Sequence, residues 1–295
     1  MPPMTVPPIP VPPIPALLAK ALLLVLAVVA LATPVRAQEP LRPFSQCLAV
    51  AQAIPGAIFA NLTPDDLGRD LAIPAQAGSG EVEIMFAGHS TYVITTPAGV
   101  SIATDYNGWA GRVEVPDIVT MNKAHSSHFT LTPDARIAHV LRGWSFDGTP
   151  ADHDVVVEDV YVRNVTTDIR DYGAMEPDGN SIFIFEVADL CIGHLGHLHH
   201  GLEDRHFAQI GRLDIVMVPV DGGLTLSHEA MTGIARRLQS SILLPMHRRG
   251  APLSRFIDMM GDRFLVDHVN QDSFTVSARG LPRQPTIVIL KGVGA

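Results

Sequence analysis

The stretch Asp117-Ile118-Val119-Thr120-Met121-Asn122-Lys123-Ala124-His125-Ser126-Ser127-His128 changes character halfway along. Asp117 to Met121 is apolar and partly β-branched, and reads as a buried strand. Lys123 to His128 is short, polar and histidine-bearing, and reads as a loop leaving that strand. A strand that ends in histidines is a way to deliver imidazoles to one edge of a sheet. The rest of the chain repeats that plan.

Upstream, Val82, Ile84 and Phe86 alternate with other residues, Tyr92 to Ile94 resumes after Gly88-His89-Ser90, and Val100 to Asp105 follows. Downstream, Ile137 to Leu141, Val155 to Val165 and Ile182 to Ile192 each read as one strand. From there, strands alternate with helices. The helices are His206–Ile210, Ser227–Leu238 with Ser227 as N-cap, and Leu253–Met260. The strands are Ile215–Val218, Ile242–Leu244, Phe264–Val266, Phe274–Val276 and Thr286–Leu290. Strand-rich sequence followed by alternation predicts two sheets covered by helices.

The chain has 13 histidines. His89, the pair His125 and His128, the group His194, His197, His199 and His200, and His247 each follow a different strand. Imidazole is the commonest protein ligand for zinc and similar ions, so four histidine-bearing strand ends predict a shared metal or catalytic site. His139, His153, His206, His228 and His268 are isolated and read as core or solvated residues.

Phe86-Ala87-Gly88-His89-Ser90, Asp117 to Thr120, Ile192-Gly193-His194-Leu195-Gly196, Asp214 to Gly223 and Leu244-Pro245-Met246-His247 occur in an order that resembles the metallo-β-lactamase superfamily. The resemblance is to the branch holding L-ascorbate-6-phosphate lactonases and N-acyl-phosphatidylethanolamine phospholipase D. It covers roughly residues 81–250 and implies an αββα sandwich. The family loop His-x-His-x-Asp-His falls on Lys123, His125, Ser127 and His128, so two of its ligands are replaced. The family's bridging acid falls on His197, and its C-terminal ligand on His247. The resemblance therefore implies a variant metal site of His125, His128, His197 and His247. That site suits a single divalent ion, zinc by ligand type. His199 and His194 are spare candidates, His89 reads as a hydrogen-bonding rim residue, and Asp168 stands where a further ligand is expected.

The implied activity is hydrolysis of a lactone, phosphoester or amide by water activated at the ion. Lys123 would stabilise an oxyanion or anchor an anionic substrate. Asp221, in Val220-Asp221-Gly222-Gly223, would orient a histidine, move protons or replace the lost carboxylate, or else is a turn residue. The alternative is a non-catalytic metal- or ligand-binding protein on the same fold. The dense loop His194 to His200 admits a third reading, metal capture.

The N-terminus predicts export. Lys20, the apolar run Ala21–Ala32 and the small-residue exit to Ala37 fit a secretory signal over residues 1–37. The run is short for a membrane span, so no stable anchor is expected after cleavage. Residues 38–80 read as an N-terminal extension, and 81–295 as the main domain. Export places the protein in the periplasm or outside the cell.

The whole chain carries a formal charge of -9. Removing residues 1–37 leaves 19 basic residues against 30 acids, a net -11. No basic stripe is present, which argues against a nucleic-acid partner and leaves a small-molecule substrate. Cys47 and Cys191 are permitted to pair in an oxidising compartment or to stay separate thiols, and sequence leaves both open.

Overall fold

The computed structural model describes residues 45–51, 80–171 and 173–293. The signal segment and most of the 38–80 extension lie outside the described residues. Fourteen strands make two sheets among the described residues. The first contains β1 (Val82–Gly88), β2 (Thr91–Thr95), β3 (Ser101–Ala103), β4 (Ile118–Met121), β5 (His139–Arg142) and β13 (Ser273–Val276), in the order β13-β1-β2-β3-β4-β5. The second contains β6 (Asp154–Val157), β7 (Val160–Asp171), β8 (Ala174–Val187), β9 (Leu190–His194), β10 (Ile215–Pro219), β11 (Ile242–Met246), β12 (Leu265–His268) and β14 (Thr286–Ile289). Its order is β12-β14-β11-β10-β9-β8-β7-β6.

The period-2 pattern of the first sheet explains its two faces. Ile84, Ile94, Ile102 and Ile118 join the core shared with the second sheet. Met85, Val93, Ala103, Val119 and Met121 belong to a second cluster. Tyr106, Ala110, Ile137 and Trp144, from the connecting segments, complete that cluster. In the second sheet β9, β10, β11, β12 and β14 run parallel, and β10 and β11 are buried throughout. That burial on both faces is why they read as unbroken apolar runs. The helices α2 (Asp204–Ile210), α3 (His228–Leu238) and α4 (Leu253–Met260) bring Ile210, Met231, Ile234, Ala235 and Phe256 to the core. Ser227 caps α3, its hydroxyl accepting from the Ala230 N–H as the sequence predicts.

Two expectations need correction. Val155 to Val165 is two strands, β6 and β7, turning at Glu158 with φ 49°. Ile182 to Ile192 is likewise split between β8 and β9, at Ala188 and Asp189 with φ 49° and 62°. Both turns carry an aspartate, Asp159 or Asp189, as a weak turn signal, but they lack the Asn-Gly or Asp-Gly pair that marks a tight hairpin inside an apolar run.

The short helix α1 (Gln46–Ala51) is tied to the second sheet by a Cys47–Cys191 disulfide, Cα–Cα 5.9 Å. Beside it the Arg163 guanidinium donates to Glu186 at 2.8 Å, and the Ser45 hydroxyl donates to the same carboxylate. The two cysteines are therefore partners. No helix of the described residues is long and apolar enough to cross a membrane.

Candidate metal centre

The C-terminal ends of β3, β4, β9, β10 and β11 and the β1–β2 turn meet at one rim, and each delivers a polar side chain there. Three of these residues take positive φ: His89 (51°), Asp105 (43°) and His247 (52°). Non-glycine residues in this region cost energy and cluster at functional sites. The His247 N–H donates to the His89 carbonyl at 2.8 Å, which locks the two turns together.

His89, His125, His128 and His247 each offer one ring nitrogen to a group whose atoms all lie within 4.8 Å of one another. His128 and His247 are buried, His89 is partly buried, and His125 stands on the exposed side. His125 Nε2 and His247 Nε2 are 3.5 Å apart. The Nε2 atoms of His89 and His128 are buried with no hydrogen-bond partner. An unpaired buried polar atom costs about 1–3 kcal/mol, so a cluster of them converging on one point fits a divalent ion.

The opposite nitrogens are occupied. His128 donates Nδ1–H to Asp105 Oδ2 at 2.6 Å, with the Ser90 hydroxyl 3.1 Å from the same nitrogen. His247 donates Nδ1–H to Asp221 Oδ2 at 2.9 Å. Ser127 Oγ lies 2.6 Å from His125 Nδ1. A carboxylate behind an imidazole fixes its tautomer and leaves Nε2 as a lone-pair donor. Asp105 is fully buried, and burial alone would raise its carboxyl. His194, His128 and Asn122 overcome that and hold it well below the usual carboxylate range. At Asp221 burial is likewise outweighed, by His247, the Thr225 hydroxyl and the loop N–H groups of Gly223 and Thr225. Burial, reinforced by the neighbouring imidazoles, lowers His89 to about 3 and His125 to about 4. Both are neutral at physiological pH, the form that ligates.

A polar floor holds this arrangement. Asn122 donates Nδ2–H to Asp105 Oδ1 at 2.8 Å and accepts from the Ser181 N–H at 2.7 Å, joining the two sheets. Gly196 (φ 62°) sits so close that a Cβ there would collide with the Asn180 and Asn122 side chains.

The structure brings together His125, His128 and His247 of the expected set, and adds His89, which sequence read as a rim residue. The available signal was its place at a strand end, which it shares with the others. His197 packs against the same rings, with centroids 5.0, 4.7 and 4.7 Å from His125, His128 and His247. Asp221 orients His247. Lys123 lies in an ion pair, its Nζ 2.6 and 2.7 Å from the two Glu176 carboxylate oxygens. Asp168 accepts from the Asp178 N–H within the β7–β8 hairpin.

The remaining histidines of the loop are struts. The Gly196 N–H donates to His194 Nδ1, and His194 Nε2–H donates to the Ser90 carbonyl. The Arg170 N–H donates to His199 Nδ1, and His199 Nε2–H donates to the Leu224 carbonyl. The Asp168 N–H donates to His200 Nε2, whose Nδ1–H donates to the Gly201 carbonyl. Both nitrogens of each of these three rings are committed, whereas the two ring nitrogens of His197 are buried without a hydrogen-bond partner.

No curated protein matches the chain. A protein from Thermotoga maritima, described as a zinc-dependent hydrolase of the metallo-β-lactamase superfamily, is 21% identical with a TM-score of 0.52. The match covers 71% of this chain and 98% of that one. A metallo hydrolase from Ignicoccus hospitalis is 16% identical with a TM-score of 0.47, covering 73% and 97%. The beta-lactamase superfamily domain matches residues 83–247. That span is more than half of the 295 residues and ends at the last histidine of the cluster, so the chain belongs to the metallo-β-lactamase superfamily.

Proposed function

We propose that this protein is an exported hydrolase that works with a single divalent ion, zinc, on a lactone, phosphoester or amide. The observation that carries this reading is the convergence of four imidazoles whose donor nitrogens lie within 4.8 Å. Ring nitrogens without carboxylate ligands suit zinc, copper or nickel and disfavour magnesium or calcium. Asp105 and Asp221, each one imidazole removed, carry the two negative charges that balance one dication. A second ion would lack such a balance. When bound, the ion supplies Lewis acidity to a substrate oxygen and acidifies water. The chain's residues supply the rest: His89, His125, His128 and His247 hold the ion, and the two aspartates fix ring orientation. Lys123, paired to Glu176, stands beside the loop where an anionic substrate group would compete for it.

The resemblance to lactonases and phospholipase D of the superfamily supports the substrate range, and the acidic charge supports a small molecule over a nucleic acid. The Cys47–Cys191 disulfide and the Lys20–Ala37 segment support a periplasmic or secreted location, because disulfides persist in oxidising compartments.

The test is metal analysis of protein purified after export, beside His125→Ala and His247→Ala, with a panel of chromogenic lactone, phosphodiester and amide substrates. One zinc per chain, lost in both variants together with turnover, is expected. No metal above trace, unchanged by either substitution, would sink the proposal. One observation favours the second reading, a non-catalytic binding protein: four imidazoles suffice to close a tetrahedral site. Stoichiometric zinc with no turnover on any substrate would select it.

A further inference from the structure

His197 differs from His125, His128 and His247. Its ring is 3% exposed, and both of its nitrogens are buried without a hydrogen-bond partner. His125, His128 and His247 each have Nδ1 beside Ser127, Asp105 or Asp221. His194 and His199 commit both nitrogens to backbone groups. His197 follows neither pattern. Only its backbone is fixed, by N–H donation to Asn180 Oδ1 at 2.7 Å. Metal-ligating histidines nearly always anchor the second nitrogen, and His197 lacks that anchor. Its ring lies edge-on to those of His125, His128 and His247, with centroids 5.0, 4.7 and 4.7 Å away, so it borders the space that they surround.

We propose that His197 is a catalytic residue and not an ion ligand: it donates a ring N–H to the substrate oxygen on which negative charge grows during hydrolysis. This rests on the hydrolase reading above. Two unpaired nitrogens are then a reserve for the reaction, because a donor in a buried site is strongest when no protein acceptor competes for it. A neutral imidazole in this role polarises an oxygen without adding a charge that would repel the ion.

The experiment uses zinc-loaded full-length protein, with His197→Ala and His197→Gln beside the wild type. Zinc affinity is read by chelator competition, and binding of inorganic phosphate, a probe oxyanion, by calorimetry. The expected result is zinc affinity within about threefold of wild type in both variants, as for a residue outside the ligand set. Phosphate binding should weaken by about tenfold or more in the alanine variant and recover partly in the glutamine variant, which keeps an N–H donor. Zinc affinity falling about 100-fold in both variants would make His197 a ligand and overturn the proposal. Unchanged phosphate binding in His197→Ala would make it a spectator and overturn it equally. If the alanine variant fails to fold, His197→Phe, which fills the space without an N–H donor, takes its place: retained zinc with phosphate binding weakened by about tenfold supports the proposal, and lost zinc or unchanged phosphate binding overturns it. A wild type that binds no zinc refutes the hydrolase reading itself, an outcome distinct from either failure.

Discussion

In the cluster, His128 and His247 turn Nδ1 to a buried carboxylate and leave Nε2 facing their neighbours. In the loop a few residues away, His194, His199 and His200 spend both ring nitrogens on backbone groups. The side chain is the same, and the partner of its second nitrogen separates a candidate ligand from a strut. Histidine density along the chain therefore does not by itself mark where ring nitrogens are left free. The loop from His194 to His200 is the densest part of the sequence, yet three of its four imidazoles hold β7 and the β1–β2 turn in place.

This contrast can be broken by substitution. The largest effect is expected from His247→Ala, which removes a ligand and should lower zinc affinity by more than the about 10–100-fold typical of losing an orienting partner. Asp221→Asn should fall inside that range, since His247 stays while its anchor weakens. Chelator competition on the two variants ranks them, and equal affinity for both would erase the distinction between ligand and support. His200→Gln should leave zinc affinity unchanged and cost about 1 kcal/mol of stability, the usual worth of one hydrogen bond, as read from urea unfolding. Loss of zinc in His200→Gln would reverse the assignment of that ring as a strut.

Acidity sharpens the same comparison. His89 and His125 are lowered from 6.5 to about 3 and about 4, first by burial and then by their neighbours. Between those values and the unfolded pKa near 6.5, the unfolded chain binds protons that the folded chain refuses. Stability of the metal-free protein is therefore complete above about pH 6.5 and declines as the pH falls toward about 4. Denaturant midpoints at pH 7.5 and pH 4.5 should show the drop, and a zinc-saturated sample at pH 7.5 should lie above both. An unchanged midpoint on acidification would contradict the lowered pKa values of these two imidazoles.

The smallest effect is expected at Lys123. Its pair with Glu176 is partly exposed, 36% and 37%, and such pairs contribute about 0–1 kcal/mol. Lys123→Met should leave the unfolding midpoint nearly unchanged. A large loss of turnover without loss of zinc would return Lys123 to the catalytic role that its sequence position suggested.

The β-branched runs fixed most strands, because burial on one or both faces leaves a periodic record in local sequence. The Ser227 N-cap and the helix after it were legible for the same reason. The two hairpin turns at Glu158 and at Ala188-Asp189 were not, since a single aspartate in each is a weak turn signal within a β-branched run and Glu158 and Ala188 take their positive φ from strand pairing. His125, His128 and His247 were legible as site residues from their places after strands and from the family pattern. His89 had the same placement but no distinguishing neighbour, and nothing local told it apart from a rim residue.

Sequence by itself determined the two-sheet class, the strand ends that carry histidine, the acidic charge and the presence of two cysteines. Tertiary structure decided the rest: that Cys47 reaches Cys191, that Asp105 and Asp221 stand behind imidazoles 23 and 26 residues away, and that His197 is left with no partner. The physical reason is range. Periodicity and capping act within a few residues, whereas the fate of a ring nitrogen depends on which distant chain segment folding brings within hydrogen-bonding distance.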